Sequence, residues 1–312
     1  MKKNKPKLII VAGPTASGKS DLGVELALRI DGEVISADSM QVYRHMNIGT
    51  AKITPEEMRG VVHHLIDIID PTEPFHVVDF QHRAKEACDD IYSRGKIPIV
   101  VGGTGFYIQA LLYDIDFTQG GEDAALRDEL QNIANEQGPV ALHDMLRELD
   151  PAAAVELHPN NVKRVIRAIE FARQNNRPIS EHNSEQRARI SPYDYHYLVI
   201  TDDRTEIYKR IDARVDRMIQ AGLEAEVHNL LEMGCTPEMT SMQGIGYKQM
   251  LAYVSGEYDL DEAIRLIKRD SRHYAKRQLT WLNREPDLIR IDRRVYPDAT
   301  GQCEYILHNY IM

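Results

Sequence analysis

The stretch Gly13-Pro14-Thr15-Ala16-Ser17-Gly18-Lys19-Ser20 fits the pattern G-x-x-x-x-G-K-[ST], and its surroundings fit as well. Leu8-Ile9-Ile10-Val11-Ala12 leads in as the short apolar run of a buried strand. Asp21 to Ile30 leads out with Leu22, Leu26 and Ile30 on one side of a helix. Strand, glycine-rich turn and helix in this order gather backbone N–H groups and a positive helix end around one point. That is the requirement for gripping a diphosphate or triphosphate. Lys19 can then reach the terminal phosphate, and the Ser20 hydroxyl suits a Mg²⁺ ligand.

The rest of the chain has to supply a sheet for that loop. Glu33 to Ser36 reads as a second strand and Val62 to Ile69 as a weaker third. Val78 to Tyr92 reads as a helix with Phe80, Ala84, Ala87 and Ile91 on its core side. Lys96 to Val101 is a fourth strand, with Pro98 marking its beginning or a sheet edge. It ends in Gly102-Gly103-Thr104-Gly105, from which a short helix over Phe106 to Leu112 departs. Such alternation predicts an α/β fold of the P-loop NTPase-like kind, a parallel sheet flanked by helices. Residues 122 to 190 change character, with helices expected at Ala124–Glu136, Val140–Glu148, Ala152–Leu157 and Val162–Gln174, broken by Pro139, Pro151, Pro159 and Pro178. The expected division is a catalytic core of 1–116 and 195–312 around an inserted all-helical domain of 117–194. A strand returns at Tyr197 to Ile200. A long helix over Thr205 to Ala221 follows, then a helix over Leu260 to Leu282 and a last strand at Leu288 to Ile291.

Composition narrows the function classes. With 312 residues, 43% apolar and 28% charged, the chain has the make-up of an ordinary globular protein. It has no apolar window long enough to span a membrane. The basic start, Met1 to Lys7, lacks the apolar segment of a signal peptide. Cys88, Cys235 and Cys303 lie far apart with no C-x-x-C pair, which argues against zinc and disulfides and for the cytoplasm. A net charge of −10 disfavours a general nucleic-acid binder but leaves room for a local basic surface. Acidic residues dominate from Asp114 to Glu156. The sign reverses from Lys163 to Arg177 and again from Arg265 to Arg290, runs that are either solvated helix faces or RNA contacts.

A nucleotide-using kinase would place a carboxylate at the end of a neighbouring apolar strand. The strand over Ile97 to Val101 ends without one, and Asp67 and Asp70 are the alternatives. Just past the second strand, Asp38-Ser39-Met40-Gln41-Val42-Tyr43 offers a base, base-reading polar side chains and a stacking ring at the ligand edge of the sheet. It equally offers a simple cap, with Asp38 or Ser39 starting a short helix and Tyr43 packed beneath.

Taken together, Gly-Pro-Thr-Ala-Ser-Gly-Lys-Ser (13–20), Asp-Ser-Met-Gln-Val-Tyr (38–43), Gly-Gly-Thr-Gly-Phe-Tyr (102–107), Gly-Ile-Gly-Tyr-Lys-Gln (244–249) and Tyr-Ala-Lys-Arg-Gln-Leu-Thr-Trp (274–281) resemble the tRNA dimethylallyltransferase family, bacterial type, over residues 7 to 290. The resemblance implies transfer of a dimethylallyl group from dimethylallyl diphosphate to N6 of the adenosine 3′-adjacent to the anticodon. The loop Gly13, Pro14, Thr15, Ala16, Ser17, Gly18, Lys19 and Ser20 would hold the diphosphate, with Mg²⁺ at Ser20 and Arg214 as a further cation, ahead of Arg217. Asp38 would take the proton from the amine, and Thr104 would contact the bridging oxygen of the leaving group, a role compatible with a helix N-cap.

The target base has to leave its stack, so RNA grips are implied on both sides. Asp38, Ser39, Met40, Gln41 and Thr104 would meet the flipped nucleotide. In the insertion, Arg127, Lys163, Arg164 and Arg167 would hold the anticodon stem-loop. Gln243, Gly244, Gly246, Tyr247, Lys248 and Gln249, with 272–281, would line the other side. Ser39, Gln41 and Gln249 are the side chains best suited to reading bases, and the others to meeting phosphates. Val162 and Lys163 stand where many family members have Pro-Gln, and Gln243 where some have Arg. No eukaryotic-type zinc finger is present. The chain is expected to act as a monomer, away from membranes. Prenylation of a free adenine nucleotide and phosphoryl transfer are the competing activities.

Overall fold

The computed structural model describes residues 5–117, 123–285 and 287–311. In chain order the first elements are β1 (Lys7–Ala12), α1 (Lys19–Ile30), β2 (Gly32–Ala37), α2 (Pro55–Met58), β3 (His63–His64), α3 (Val77–Ser93), β4 (Ile97–Gly102) and α4 (Gly105–Leu112). Five helices follow: α5 (Ala124–Glu136), α6 (Pro139–Leu149), α7 (Pro151–Glu156), α8 (Val162–Asn175) and α9 (Ile179–Arg187). The chain then runs through β5 (Asp194–Thr201), α10 (Arg204–Gln220), α11 (Leu223–Glu232), α12 (Tyr247–Val254), α13 (Leu260–Leu282), β6 (Leu288–Asp292) and α14 (Ala299–Ile306). These residues form two compact units, one of 1–112 with 192–312 and one of 113–191.

The first unit holds a six-stranded sheet in the order β3-β2-β4-β1-β5-β6, parallel throughout. Its central strands are apolar without interruption because helices cover both faces. Ile9, Val11, Ile99, Val101, Leu198 and Ile200 share one face with Leu22 and Leu26 of α1 and Cys303 and Ile306 of α14. On the other face the register sets Ile35, Val100, Ile10 and Tyr197 side by side. There α3 and α4 cover the strands, with Phe80 stacked on Tyr107 at 4.5 Å.

One strand expectation needs correction, and of the two places offered for Pro98 the beginning of the strand is the one found. Only His63 and His64 of the stretch Val62–Ile69 pair with β2, since Leu65 (φ 64°) and Asp67 (φ 55°) adopt left-handed backbone that no strand continues through. The backbone N–H groups of Asp67, Ile68 and Ile69 instead donate to the carbonyls of Gln41 and Val42. Pro98 does not mark a sheet edge, for β4 lies between β2 and β1. It is tolerated because the ladder with β1 begins only at Ile99, so the missing N–H has no partner on that side.

The second unit is built from α5 to α9 around Leu130, Leu142, Leu146, Val165, Ile166 and Ile169. Pro139 and Pro151 open α6 and α7 at their first positions, where a missing N–H costs nothing. No apolar pattern in the sequence marks α9, for apart from Ile179 its residues are polar, and only His182 is buried. Asp150 joins three segments: its carboxylate accepts from the N–H groups of Ala153 and Ser180 and from the Ser180 hydroxyl.

One buried charge anchors β2 near its start. Glu33, 1% exposed, is held by Arg94, by His64 Nε2 at 2.8 Å and by Lys96 at 3.3 Å. Burial pushes its carboxyl up, but these hydrogen bonds outweigh it and hold the group down at about 2, against an ordinary 4.5. The folded value is the lower one, so the stabilisation is present above the unfolded value and is lost as pH falls through the folded one. Glu33→Gln should therefore cost about 3 kcal/mol at neutral pH. In denaturant titrations the gap to the parent protein should narrow below pH 4.5 and close near pH 2.

Candidate active site

Parallel register brings three loops to one edge. Ala12, Gly102 and Ala37 are paired neighbours at the carboxyl ends of β1, β4 and β2, and the segments 13–20, 103–105 and 38–43 leave directly from them. This is where ligands of open parallel sheets bind.

The phosphate loop turns through left-handed backbone at Ala16 (φ 61°) and Gly18 (φ 88°), and Gly18 caps α1. Its outward groups are held from behind by residues far along the chain. Gln278 accepts from the Thr15 N–H at 2.8 Å, and Arg214 donates to the Thr15 hydroxyl at 3.1 Å. Arg210 donates to the Ala16 carbonyl at 3.0 Å, and Arg293 to the Ser17 carbonyl at 2.8 Å. Arg210 is itself oriented by Asp202 at 2.7 Å. Pro14 accepts the Ser17 N–H, while the buried Ser17 hydroxyl packs beside Gly13 and bonds to nothing among the described residues.

Thr15, Lys19, Ser20, Asp38, Gln41 and Arg214 line one pocket, together with Tyr274 and Gln278. Lys19 is lowered to about 8, from an ordinary 10.5: burial removes its water, Arg214 repels it, and only Asp38 opposes them. Burial likewise lowers Arg214, against the pull of Asp38. Two desolvated cations thus share one carboxylate, which suits a polyanion.

Asp38 does not start a helix. Its Oδ1 accepts from the N–H groups of Met40 (2.9 Å) and Gln41 (3.3 Å), fixing a turn that holds the carboxylate at the pocket. Ser39 is half-buried in the same turn, and the Met40 methyl lies against Gly244. Tyr43 is fully buried, so the stacking surface expected of it is absent and the ring belongs to the core. Gln41 turns its amide onto the carbonyls of Thr50 and Ala51.

Thr104 occupies the position before α4, and its carbonyl accepts the N–H groups of Tyr107 and Ile108. It therefore stands at a helix start, two residues after Gly102, which lines the pocket; Thr104 itself is not one of the lining residues. Nearby stands the phenol of Tyr274, which burial pushes up to about 12, with the Asp38 charge adding to the shift. Gly105 has no side chain because the Trp281 ring occupies that space.

Of the segment 243–249, Gln243 and Lys248 are exposed and Gly246 takes φ 100°. Tyr247 and Gln249 point inward. Gln249 accepts the Gly246 N–H at 2.9 Å and donates to Asp270 at 2.9 Å, which corrects its expected part in reading bases. The Tyr247 hydroxyl donates to Glu226 at 2.7 Å. That carboxylate also accepts three backbone N–H groups, those of Asn47 (2.8 Å), Ile48 (2.7 Å) and Gly49 (3.0 Å). Glu226 thus fixes the loop whose Thr50 carbonyl receives both Gln41 and Arg214.

In the helical unit, Arg127 grips the buried Glu170 with two bonds (2.9 and 3.0 Å), and Arg167 adds a third at 2.8 Å. Lys163 and Arg164 are exposed in the first turn of α8, with no acidic partner among the described residues.

Comparison with known proteins bears on this geometry directly. Residues 41–285 match the family model described as IPP transferase, and residues 6–69 match that described as Isopentenyl transferase. The chain belongs to the IPP transferase family. It is 56% identical over 300 residues, 96% of each chain, to the tRNA dimethylallyltransferase of Lachnoclostridium phytofermentans. The tRNA isopentenylpyrophosphate transferase of Bacillus halodurans superposes with a TM-score of 0.70 at 43% identity, over 96% of this chain and 98% of that one. A eukaryotic dimethylallyltransferase acting on tRNA gives a TM-score of 0.80 at 31% identity, over 97% of this chain and 76% of that one.

Arg210, Arg293, Gln278 and Glu226 were not singled out as IPP transferase site residues in the sequence. Gln278 and Tyr274 lie one helical turn apart in a motif that was noted as a whole, and Arg210 lies one turn before Arg214. Glu226 sits in a helix without any motif. For this IPP transferase, Glu226→Ala should cost roughly 3 kcal/mol, since it strands three N–H donors, and Tyr247→Phe only about 1 kcal/mol. Thermal denaturation of the two variants checks the ranking.

Proposed function

We infer that the chain transfers the dimethylallyl group of dimethylallyl diphosphate to N6 of the adenosine 3′-adjacent to the tRNA anticodon, releasing diphosphate. The observation that carries this reading is the opening of a phosphate cradle and the Asp38 carboxylate into one pocket. The N6 lone pair attacks the first carbon of the allyl group as its bond to the bridging oxygen breaks. Negative charge grows on the diphosphate, where Lys19, Arg214 and the loop stabilise it. Asp38 accepts the N6 proton as the carbon–nitrogen bond forms, because the amine, its lone pair delocalised into the ring, is a weak nucleophile and gains positive charge as it bonds to carbon. Thr104 lies at the same edge, near Tyr274, and suits contact with the bridging oxygen. Ile53, Ile66 and Val101 line the pocket too and offer apolar surface for five carbons.

The donor set fits Mg²⁺. Ser20 lines the pocket near the start of α1, and no group of three His, Cys, Asp or Glu side chains that could hold a metal occurs among the described residues. A hard ion bound mainly by diphosphate oxygens and water needs no such group. Mg²⁺ held at Ser20 would neutralise part of the leaving-group charge.

Phosphoryl transfer finds less support. Asp67 pairs with Lys52 at 2.5 Å and Asp70 with Arg44 at 3.4 Å, and neither lines the pocket. On the RNA side, Lys163 and Arg164 place positive charge at a positive helix end, which costs stability unless a phosphate meets it. Arg127 and Arg167 keep their pairing with Glu170 and expose enough surface, 33% and 39%, to meet RNA as well. No described helix is long and apolar enough to cross a membrane, and Cys88, Cys235 and Cys303 are free.

Mass spectrometry of nucleosides from tRNA incubated with the protein, dimethylallyl diphosphate and Mg²⁺ should show N6-isopentenyladenosine. Prenylated AMP with untouched tRNA, or γ-phosphate transfer from ATP, would overturn the reading. Asp38→Asn keeps an acceptor for the Met40 and Gln41 N–H groups, so kcat should fall at least a hundredfold while tRNA affinity stays within about threefold. Lys163→Ala should weaken tRNA binding and reduce the salt slope by about one counterion, read from titrations at several salt concentrations.

A further inference from the structure

The sheet fixes where β1 and β4 end, but it does not fix the loops beyond them. Several side chains hold the phosphate loop, and one of them also reaches the turn after β4. Gln278, on α13 and 6% exposed, accepts the Thr15 N–H through Oε1 at 2.8 Å and donates from Nε2 to the Gly103 carbonyl at 2.9 Å. One loop carries the leaving-group cradle, and the other carries Thr104. A primary amide is the side chain that accepts and donates from two ends of one rigid plane.

The surroundings are shaped to the amide. A Cβ on Gly103 would collide with Gln278 Nε2, so glycine at that position makes room for this contact. The Thr15 peptide, turned toward Gln278, leaves its hydroxyl to Arg214. One turn earlier on the same helix face, Tyr274 lines the same pocket as Gln278. The helix has a firm seat. Ala275 packs with Ile207 and Ile211 of α10, and Leu279 and Ala16 join that cluster, so α13 and the arginine-bearing α10 form one wall behind the loop.

We propose that Gln278 is a positioning residue for prenyl transfer, setting the separation between the diphosphate cradle and Thr104 by bridging Thr15 and Gly103. The proposal rests on the prenyl-transfer reading given above. Its action is on the reacting geometry: the allylic oxygen has to lie between the cradle and Thr104 when the bond breaks, and small misplacements there lower kcat more than binding.

The test uses two variants of the full chain, assayed with tRNA and dimethylallyl diphosphate, with folding checked by thermal denaturation. Gln278→Leu removes both bonds and should lower kcat about tenfold or more at every pH, with the KM for dimethylallyl diphosphate changed less than about threefold. Gln278→Glu keeps an acceptor for Thr15 but, when ionised, has nothing to donate to Gly103. Protonation restores the donor; burial against a carbonyl favours the protonated form, and Lys19 and Arg214, which line the same pocket, favour the ionised one, so the change falls toward the acid end of the pH range. The kcat of Gln278→Glu relative to the parent should therefore rise as pH is lowered from about 8.5 to about 6. Because it is a ratio within a folded variant, this readout stands even where Gln278→Leu fails to fold. A ratio flat with pH, a loss confined to KM, or kcat within twofold of the parent in both variants would overturn the proposal. A parent protein that does not prenylate tRNA would instead defeat the underlying reading, so the two failures are distinguishable.

Discussion

The pairing of Ala12 with Gly102 and of Gly102 with Ala37 is the constraint on which the rest depends. Parallel strands in register end level with one another, so whatever follows them shares one edge. A phosphate loop, a glycine-rich turn and an acidic turn are each common in isolation. Here the strand order β2-β4-β1 makes them three walls of one pocket. A shift of β4 by one residue would reverse which of its side chains face α1, and would carry Thr104 away from the carboxylate of Asp38.

Level strand ends are necessary but leave the loops free to move. The protein restrains them with long-range side-chain bonds rather than with more secondary structure. Gln278 and Arg293 reach the loop from 263 and 276 residues away, and Glu226 gathers the 47–49 backbone from across the same unit. Each of these bonds ends on a main-chain group or on the Thr15 hydroxyl. That choice leaves the side chains of Lys19 and Ser20, and the second carboxylate oxygen of Asp38, available to the pocket. Order is supplied to the backbone, and chemistry is left to the side chains.

How much of this was legible in the sequence follows from the range of the interactions. The strands β1, β2 and β5 and the long α13 are marked by local apolar patterns, and the phosphate loop by a local motif, so all were readable. The stretch Val62–Ile69 has the composition of a strand, yet Leu65 and Asp67 turn left-handed under the demands of their tertiary hydrogen bonds with 41–42. Nothing local signals that. Tyr43 and Gln249 show the same limit at the site. Both residue types can stack on or read a base, and only burial shows that one is core and the other is spent on Gly246 and Asp270. Arg127 and Arg167 look like bare RNA contacts until Glu170, on the same helix as Arg167, is seen to bind both.

Electrostatics ties the scaffold to the reaction. Lys19 and Arg214 are desolvated, repel each other and share the single carboxylate of Asp38, and each is held below its ordinary affinity for protons. Water around two such cations would have to reorganise as charge developed on a leaving group. Arg214, carried on α10 and already held by Thr15 and Thr50, does not. The cost of holding the two cations together is met in folding, by the cluster of Ile207, Ile211 and Ala275, and is relieved when an anion enters. The anion gains most where its charge is greatest, which for a breaking carbon–oxygen bond is the departing diphosphate rather than the intact ester. A phosphate loop can therefore serve a reaction in which no phosphoryl group moves. On the reading proposed above it needs a carboxylate that faces the incoming nucleophile rather than a water or a metal, and the turn at Asp38 holds a carboxylate at the pocket.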